Sequence, residues 1–312
     1  MRVGVGLPTA LDHCSRAHLL DWAVCADLGG FTSLATIDRL AADVWEPLIT
    51  LAAVAAVTHH VRLVTSVIAG PRRNTSLLAK QVATLDEMSL GRVVLGLGVG
   101  QSLADYRLGC IDTVARGARL SEQLVRLRET WERSGDGPAA WSGRGPTLLI
   151  GGSSSAAFAR AACYADGWLD VGGTVSTFSA TAGQVRAAWS DFGRPGRPQL
   201  WGRAHYVLGD EPAAESGREH VLEYYRGLGR DDARELADGL LTTRAAISDC
   251  VRDYAGEGCD ELLLLPAISR IDQMERLADL LQRHHQALLG GGVRRTRELQ
   301  ERPFPLAQSL SA

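Results

Sequence analysis

Two hydrophobic rhythms alternate along this chain. Short runs that are apolar at nearly every position are followed by longer stretches whose apolar residues fall on one helical face, and the pair then repeats. The short runs predict strands over Val3–Leu7, Ser33–Ile37, Val61–Ile68, Arg92–Val99, Thr147–Ile150, Trp168–Val171, Leu200–Leu208 and Glu261–Leu265. In Leu262-Leu263-Leu264-Leu265 there is no polar alternation at all. A strand of that kind is buried on both faces, as in a parallel sheet clothed in helices. Helices are predicted between the strands. Leu11–Leu28 is closed by Gly29-Gly30, Leu48–Val57 opens at Glu46-Pro47, and Asn74 caps a helix carrying Leu78, Val82, Leu85 and Met88. Leu48–Val57 is apolar all round and is expected to be buried. Later helices read as Ala118–Glu132, Ser155–Ala165, Ser176–Trp189, Ala213–Arg226 and Asp272–Leu289.

Eight strand–helix pairs over about 290 residues have the length and rhythm of an α/β (β/α)8 barrel, with a doubly wound open sheet as the alternative. Insertions follow the fourth strand (Gln101–Arg119) and the seventh (Arg230–Glu257, with helices over Asp232–Leu241 and Arg244–Tyr254). In a barrel, such loops at the strands' C-terminal ends build active sites. Residues 1–289 read as a single domain, and residues 290–312 as a flexible tail or an arm on a partner subunit.

Composition narrows the function. With 33 basic and 36 acidic residues the net charge is −3, and no basic or acidic block is present. Nucleic acid and anionic membranes are thus disfavoured as partners. The longest apolar run, Leu51–Val57, is far too short to span a bilayer. Six cysteines without a CxxC or zinc-like spacing fit a reducing compartment, and the strand-like Met1–Pro8 is not a signal peptide, so a cytoplasmic location is expected.

Four places carry candidate chemistry. Ile150-Gly151-Gly152-Ser153-Ser154-Ser155 lies where a strand meets a helix, and free N–H groups with the positive dipole end would hold a phosphate there. An ordinary serine-capped turn is the other reading. Gly96-Leu97-Gly98-Val99-Gly100 lacks the last glycine of a dinucleotide fingerprint, because position 101 is Gln101. On a barrel, Gly98 and Gly100 would instead clear space for a flat ligand or for a side chain. Ile37-Asp38-Arg39 and Thr65-Ser66-Val67 would open onto one mouth. There Asp38 and Arg39 are either a base and a cation or merely an ion pair. His205, inside an apolar run, is either a core histidine or a group pointing up the barrel. No HExxH, GxSxG or P-loop pattern occurs, so metal and serine-hydrolase chemistry have no local support.

A series of segments then appears in order: Gly30-Phe31-Thr32-Ser33-Leu34, Glu46-Pro47-Leu48, Val61–Val67, Arg73-Asn74, Leu78-Ala79-Lys80-Gln81, Gly91-Arg92, Leu95–Gly100, Ile150–Ser153, Ala165-Asp166-Gly167-Trp168 and Gly258–Leu262. This series resembles the bacterial luciferase-like superfamily of flavin- and coenzyme F420-dependent oxidoreductases. The resemblance implies a TIM barrel whose mouth holds F420 or, alternatively, FMN. It implies a bulge, often with a non-prolyl cis peptide, around Ser66-Val67. It places the phosphate on Gly151, Gly152 and Ser153, with the Gly172-Gly173-Thr174 turn beside it, and the ring near Thr36, Ser66, Val67, Gly98 and Gly100. Arg72 and Arg73 would meet the polyglutamate of F420 or simply be solvated.

Departures from the family pattern matter for the reaction. Many members carry Trp and His in the second strand's motif, where this chain has Ala35 and Arg39, and the sugar-phosphate dehydrogenase branch uses a Glu where Gln101 stands. Without those proton-transfer groups, alcohol oxidation by that route is disfavoured. Arg39 would instead hold an anionic substrate or polarise an electron-poor C=C, C=O or C=N during hydride delivery, with Asp38 beside it. Ala35, Gln101, Tyr106 and His205 are expected to line the pocket of a small-molecule substrate. Three functions follow: an F420H2-dependent reductase, an FMNH2-dependent monooxygenase supplied with electrons by a separate reductase, and a barrel that binds without catalysis. The resemblance also implies a homodimer through the helices near Glu46–Val57 and Asn74–Met88. The stretch Gly135–Gly145 looks short for the family, which would leave the mouth more open.

Overall fold

A computed structural model describes residues 1–12, 14–132 and 145–288. Most of Gly135–Gly145 and the expected tail lie outside the described residues. The chain runs β1 (Arg2–Gly6), α1 (Arg16–Leu28), β2 (Ser33–Thr36), α2 (Pro47–Ala55), β3 (Arg62–Thr65), β4 (Ile68–Ala69), α3 (Thr75–Met88), β5 (Val93–Gly98), α4 (Leu103–Leu108) and α5 (Arg116–Glu132). It continues with β6 (Thr147–Gly151), α6 (Ser155–Tyr164), β7 (Gly167–Leu169), α7 (Val175–Asp191), β8 (Gln199–Tyr206), α8 (Glu211–Tyr225), α9 (Arg230–Asp238), α10 (Arg244–Gly256), β9 (Glu261–Pro266) and α11 (Asp272–Leu288).

All strand pairings are parallel, in the order β3-β2-β1-β9-β8-β7-β6-β5-β4, and β3 pairs with β5 to close the sheet. The result is a closed (β/α)8 barrel in which β3 and β4 are two parts of one barrel strand. The predicted run Val61–Ile68 breaks because β3 leaves β5 after Val64↔Val94 and pairing resumes only at Ile68↔Leu97. Thr65 bridges the gap: its hydroxyl donates to Gly96 O and accepts from Gly96 N–H, both at 2.9 Å. The Ser66–Val67 peptide in this bulge is cis.

Continuous apolar strands are explained by two separate cores. Ala35, Val64, Val94, Leu149, Leu169, Trp201, Leu263 and Leu265 pack inside the barrel, while a larger set, including Leu34, Leu63, Leu95, Leu148, Trp168 and Leu264, packs under the helices. Consecutive residues along each strand thus serve opposite faces, both dry. A third, smaller core forms where the insertion after β8 folds its helices α8 and α9 onto Val207 and Ala267.

Three expectations need correction. Helix α1 begins at Arg16, not Leu11, because Leu11 N–H closes a turn on Pro8 O and the helix is capped by Ser15, whose side chain accepts from His18 N–H. Helix α2 is not buried all round: Ile49 is 73 % exposed. The insertion after the fourth barrel strand contains α4, capped by Ser102. All six cysteines are free, and no helix among the described residues is long and apolar enough to cross a membrane.

Candidate active site

Three glycines explain how the bulge fills the upper barrel. A Cβ on Gly96 would stand 2.1 Å from Thr65 O and 3.0 Å from Val67 Cγ1, and one on Gly98 would stand 2.9 Å from Val67 Cγ2. At Gly151 it would meet both Val67 methyls at 3.0 and 3.1 Å. Space at these positions therefore seats the Val67 side chain, which turns inward beside the interior core. Of the two sequence readings for Gly98, the side chain is what occupies the gap. Gly98 and Gly100 nonetheless border the cavity above, together with Ser66, Val67, Gly151 and Gly152.

That cavity, of about 150 Å³, opens at the C-terminal ends of the strands and is also lined by Asp38, Arg39, Arg72, Gln101, Asp105, Arg203, Tyr224 and Tyr225. Arg39, Ser102, Tyr224 and Gly227 also border a wider outer vestibule of about 960 Å³, enclosed by the loops after β1, β2, β5 and β9 and by α8 with the turn that follows it. Along one rim the first residues of α6 follow Gly152. Ser154 caps the helix by accepting from Ala157 N–H, which leaves the N–H groups of Ser155 and Ala156 without intrahelical acceptors. Ser153 is exposed there. Next to it, Gly172-Gly173 leads into α7, capped by Thr174 through Thr177 N–H. Two helix N-termini on neighbouring strands thus present donors and positive dipole ends at one rim, an arrangement that suits a phosphate.

Asp38 and Arg39 diverge in role. The Asp38 carboxylate accepts from Ala69 N–H (3.0 Å), Arg72 (2.8 Å) and Arg73 (3.1 Å), and its side chain is 7 % exposed. These contacts anchor the bulge and tie the carboxylate to two cations, a setting that suits an anchor better than a base. Arg72 and Arg73 are likewise not solvated, being paired with Asp38, Asp105 and Glu46. Asp105 accepts from Ala41 N–H and the Ser102 hydroxyl and faces Arg39 and Arg72. Burial would raise its pKa, but those hydrogen bonds, one from Leu40 and the Arg39 charge hold it below its ordinary value. Arg39 donates through Nη1 to Tyr224 O (3.0 Å), faces Asp105 through Nε, and lies 5.3 Å from the centre of the Tyr224 ring. Neither polar contact uses its Nη2.

The remaining expected residues divide. Gln101 lines the cavity. Tyr106 does not: it is 1 % exposed, and its hydroxyl donates to Val99 O from behind the wall. Thr36 faces away from the cavity because its neighbour Ala35 points into the barrel; the Thr36 hydroxyl meets that of Thr9 at 3.4 Å. Ala35 and His205 border a separate void of about 30 Å³, beside Tyr224 and Tyr225. His205 Nε2 is 3.0 Å from the Tyr225 hydroxyl, and its Nδ1 has no partner. Burial, then the charges of Arg203 and His220, push its pKa down to about 3, so the ring is neutral.

Residues that sequence reasoning missed are Arg203, Tyr224 and Tyr225 at the cavity and Asp170 beside Arg203. Arg203 had a signal. It lies between Trp201 and His205 on one face of a strand buried on both sides, where a charge is out of place. The tyrosines carried none, being adjacent residues at the end of an ordinary helix.

Comparison with known proteins agrees with this geometry. The family model for luciferase-like monooxygenases matches residues 1–259, and the chain belongs to that family of flavin- and F420-dependent oxidoreductases. An uncharacterised protein of Mycobacterium tuberculosis is 29 % identical over 222 residues, covering 66 % of this chain and 77 % of the relative. The F420-dependent glucose-6-phosphate dehydrogenase of Nakamurella multipartita is 34 % identical over 137 residues, 40 % of each chain. The crystal structure of monooxygenase RslO1 from Streptomyces bottropensis superposes with a TM-score of 0.73 at 20 % identity, covering 91 % of this chain and 100 % of that one.

Proposed function

We propose that this chain is an F420H2-dependent reductase that adds hydride and a proton to an electron-poor C=C, C=O or C=N of a small molecule. The donor set fits the cofactor. Gly151, Gly152, Ser153 and the Gly172-Gly173-Thr174 turn would hold its phosphate, Ser66, Val67, Gly98 and Gly100 would border its ring, and the Ser66 hydroxyl oxygen is buried without a partner. When bound, the cofactor supplies the hydride.

The observation that carries the reductive direction is the lack of a free base at a cavity rich in cations and protic groups. Among the described residues that line it, the carboxylates are Asp38 and Asp105, and both are committed to arginines. Alcohol oxidation needs a group that takes a proton from the substrate; carbonyl or alkene reduction needs one that gives it. Tyr225, at the cavity wall, donates its phenolic proton to the product. The phenol regains a proton from water that enters as the product leaves, while neutral His205, 3.0 Å away through Nε2, fixes the direction of its hydroxyl. Arg39 Nη2 faces the negative charge that develops on the acceptor. Similarity to a protein named as F420-dependent supports the choice of cofactor. FMNH2-dependent oxygenation, with a separate reductase, is the alternative that the family description keeps open. A homodimer through α2 and α3 goes with either reading, since Ile49 and Leu77 are 73 % and 57 % exposed there.

Titration of the full chain with F420 and with FMN, followed by assays of F420H2 oxidation against activated alkenes, ketones and imines, tests the reading. Tight FMN binding with oxygen-dependent turnover would replace it. Within it, Arg39→Ala should lower kcat/KM by about 100-fold, the size of one lost transition-state contact, and unchanged turnover would remove Arg39 from the mechanism.

A further inference from the structure

Arg203 stands in the middle of β8, level with Leu263 of β9, and its side chain crosses the barrel beneath the cavity. Nη1 donates to Ser66 O at 3.2 Å and Nη2 to Val171 O, so one guanidinium ties the bulge to the end of β7. The residue is 9 % exposed, and its Nε has no hydrogen-bond partner. Two further polar atoms beside it, Ser66 Oγ and Asp170 Oδ2, are also buried and unpartnered.

Other enclosed arginines are treated differently. Arg72 meets two carboxylates, and Arg62 meets Glu261. Arg92 has no carboxylate but saturates its fork on Ser89 O, Thr58 Oγ1, Val61 O, Ala55 O and Thr58 O. Arg203 has two carbonyl acceptors, an idle Nε and no direct ion pair. Asp170 feels its charge, yet turns its hydrogen bonds to the backbone of Val171, at 2.8 Å, and Gly172. Buried charge without a direct counter-charge persists where a ligand completes it. Arg203 borders the cavity itself, so a ligand that fills the cavity lies against it.

We propose that Arg203 is a charge-selecting residue beneath the ring site, favouring anionic forms of a bound flavin-type ring over neutral ones, with Asp170 setting how much of that charge the ring feels. This rests on the reading that such a ring occupies the cavity. For FMN, uptake of two electrons and one proton leaves the ring with one negative charge that the oxidised ring lacks, and a cation nearby in a dry site binds that form more tightly. The ring of F420 bears an acidic hydroxyl and is anionic already when oxidised, so the same cation holds both of its forms. Removing Arg203 therefore weakens reduced FMN more than oxidised FMN, and weakens F420 in both forms. Removing the Asp170 charge acts in the opposite sense.

The test is anaerobic titration of the full chain with oxidised and reduced FMN, and with oxidised and reduced F420, for wild type, Arg203→Met, Arg203→Lys and Asp170→Asn. Arg203→Met is expected to lose at least tenfold more affinity for reduced than for oxidised FMN, and at least tenfold in affinity for both forms of F420. For FMN, a two-electron couple, tenfold corresponds to a midpoint about 30 mV more negative. Arg203→Lys should keep most of the wild-type ratio, and Asp170→Asn should shift it toward the reduced form. Equal losses for the two oxidation states of FMN, or F420 affinities that Arg203→Met leaves unchanged, would overturn the assignment while leaving the cofactor site standing. Failure of wild type to bind either ligand would remove the cofactor reading and this inference together. If Arg203→Met fails to fold by circular dichroism, the opposite shift required of Asp170→Asn decides.

Discussion

Arginines and carboxylates meet at both ends of this barrel, in contrasting ways. At the N-terminal end Glu261, fully enclosed, accepts from the hydroxyls of Thr32 and Ser33 and pairs with Arg2 and Arg62, while Arg62 lies 4.7 Å from the centre of the Trp201 ring. Four strand beginnings are stitched together there. At the C-terminal end the groups are as well buried but less completed: Arg203, Ser66, Asp170 and His205 all carry unpartnered atoms around one cavity system. The first arrangement seals a floor, and the second holds polar capacity in reserve for something that enters. Burial alone does not distinguish the two ends; at the floor each charge meets an opposite charge, whereas Arg203 meets only carbonyl oxygens.

The largest effect expected from this contrast is at the floor. Glu261→Ala strands the Arg62 charge in a dry site and should cost about 3–5 kcal/mol in urea unfolding. Cofactor affinity of the folded fraction should stay within twofold, because no floor residue borders the cavity. A variant that folds normally but loses cofactor would mean that the two ends are coupled and that the division drawn here is wrong.

How far the sequence foretold each end depends on how local its signal is. Barrel class was legible because eight repeats of strand and helix each carry their own pattern, and Leu262–Leu265 alone implies two dry faces. Gly151-Gly152-Ser153 and Ser66-Val67 were legible for the same reason, since a backbone cradle or a bulge is written in consecutive residues. Glu261, Arg203, Asp170 and Tyr225 were not. Asp170 bonds only to neighbouring backbone, and the partners of the other three lie 20 to 229 residues away and meet them only when the barrel closes. Thr36 and Tyr106 failed differently: strand alternation turns Thr36 to the opposite face from Ala35, and Tyr106 finds its acceptor behind the wall.

A subtler effect separates two titrating groups at the upper end. Burial raises the Asp170 carboxyl from 3.8 to about 6 despite the nearby Arg203 charge. Its contribution to stability is therefore present below about pH 3.8 and lost as pH rises through about 6. His205, lowered from 6.5 to about 3, runs the other way: the unfolded chain binds a proton that the folded chain refuses, so stability rises with pH across that window. Between pH 4 and 6 the two slopes oppose and wild type should look nearly flat in this component. Asp170→Asn should expose the His205 slope, a rise on the order of 2 kcal/mol between pH 4 and 6 relative to wild type. Parallel profiles for the two proteins would place the Asp170 carboxyl in a wetter site than the one described.

The smallest effect belongs to a pair that copies the floor's chemistry at its exposed rim. Arg197 meets Asp260 through both Nη atoms, at 2.6 and 2.9 Å, but its side chain is 69 % exposed. Solvent already satisfies both partners when they are apart, so the geometry contributes little. Arg197→Ala should cost under about 1 kcal/mol at 0.15 M salt and less at 1 M, where screening removes most of what remains. Asp260 keeps Leu200 N–H as a donor, at 2.8 Å, and needs no replacement for the lost arginine. A loss comparable to that of Glu261→Ala, insensitive to salt, would show that enclosure is not what gives the floor its strength, and the contrast between the two ends would need another cause.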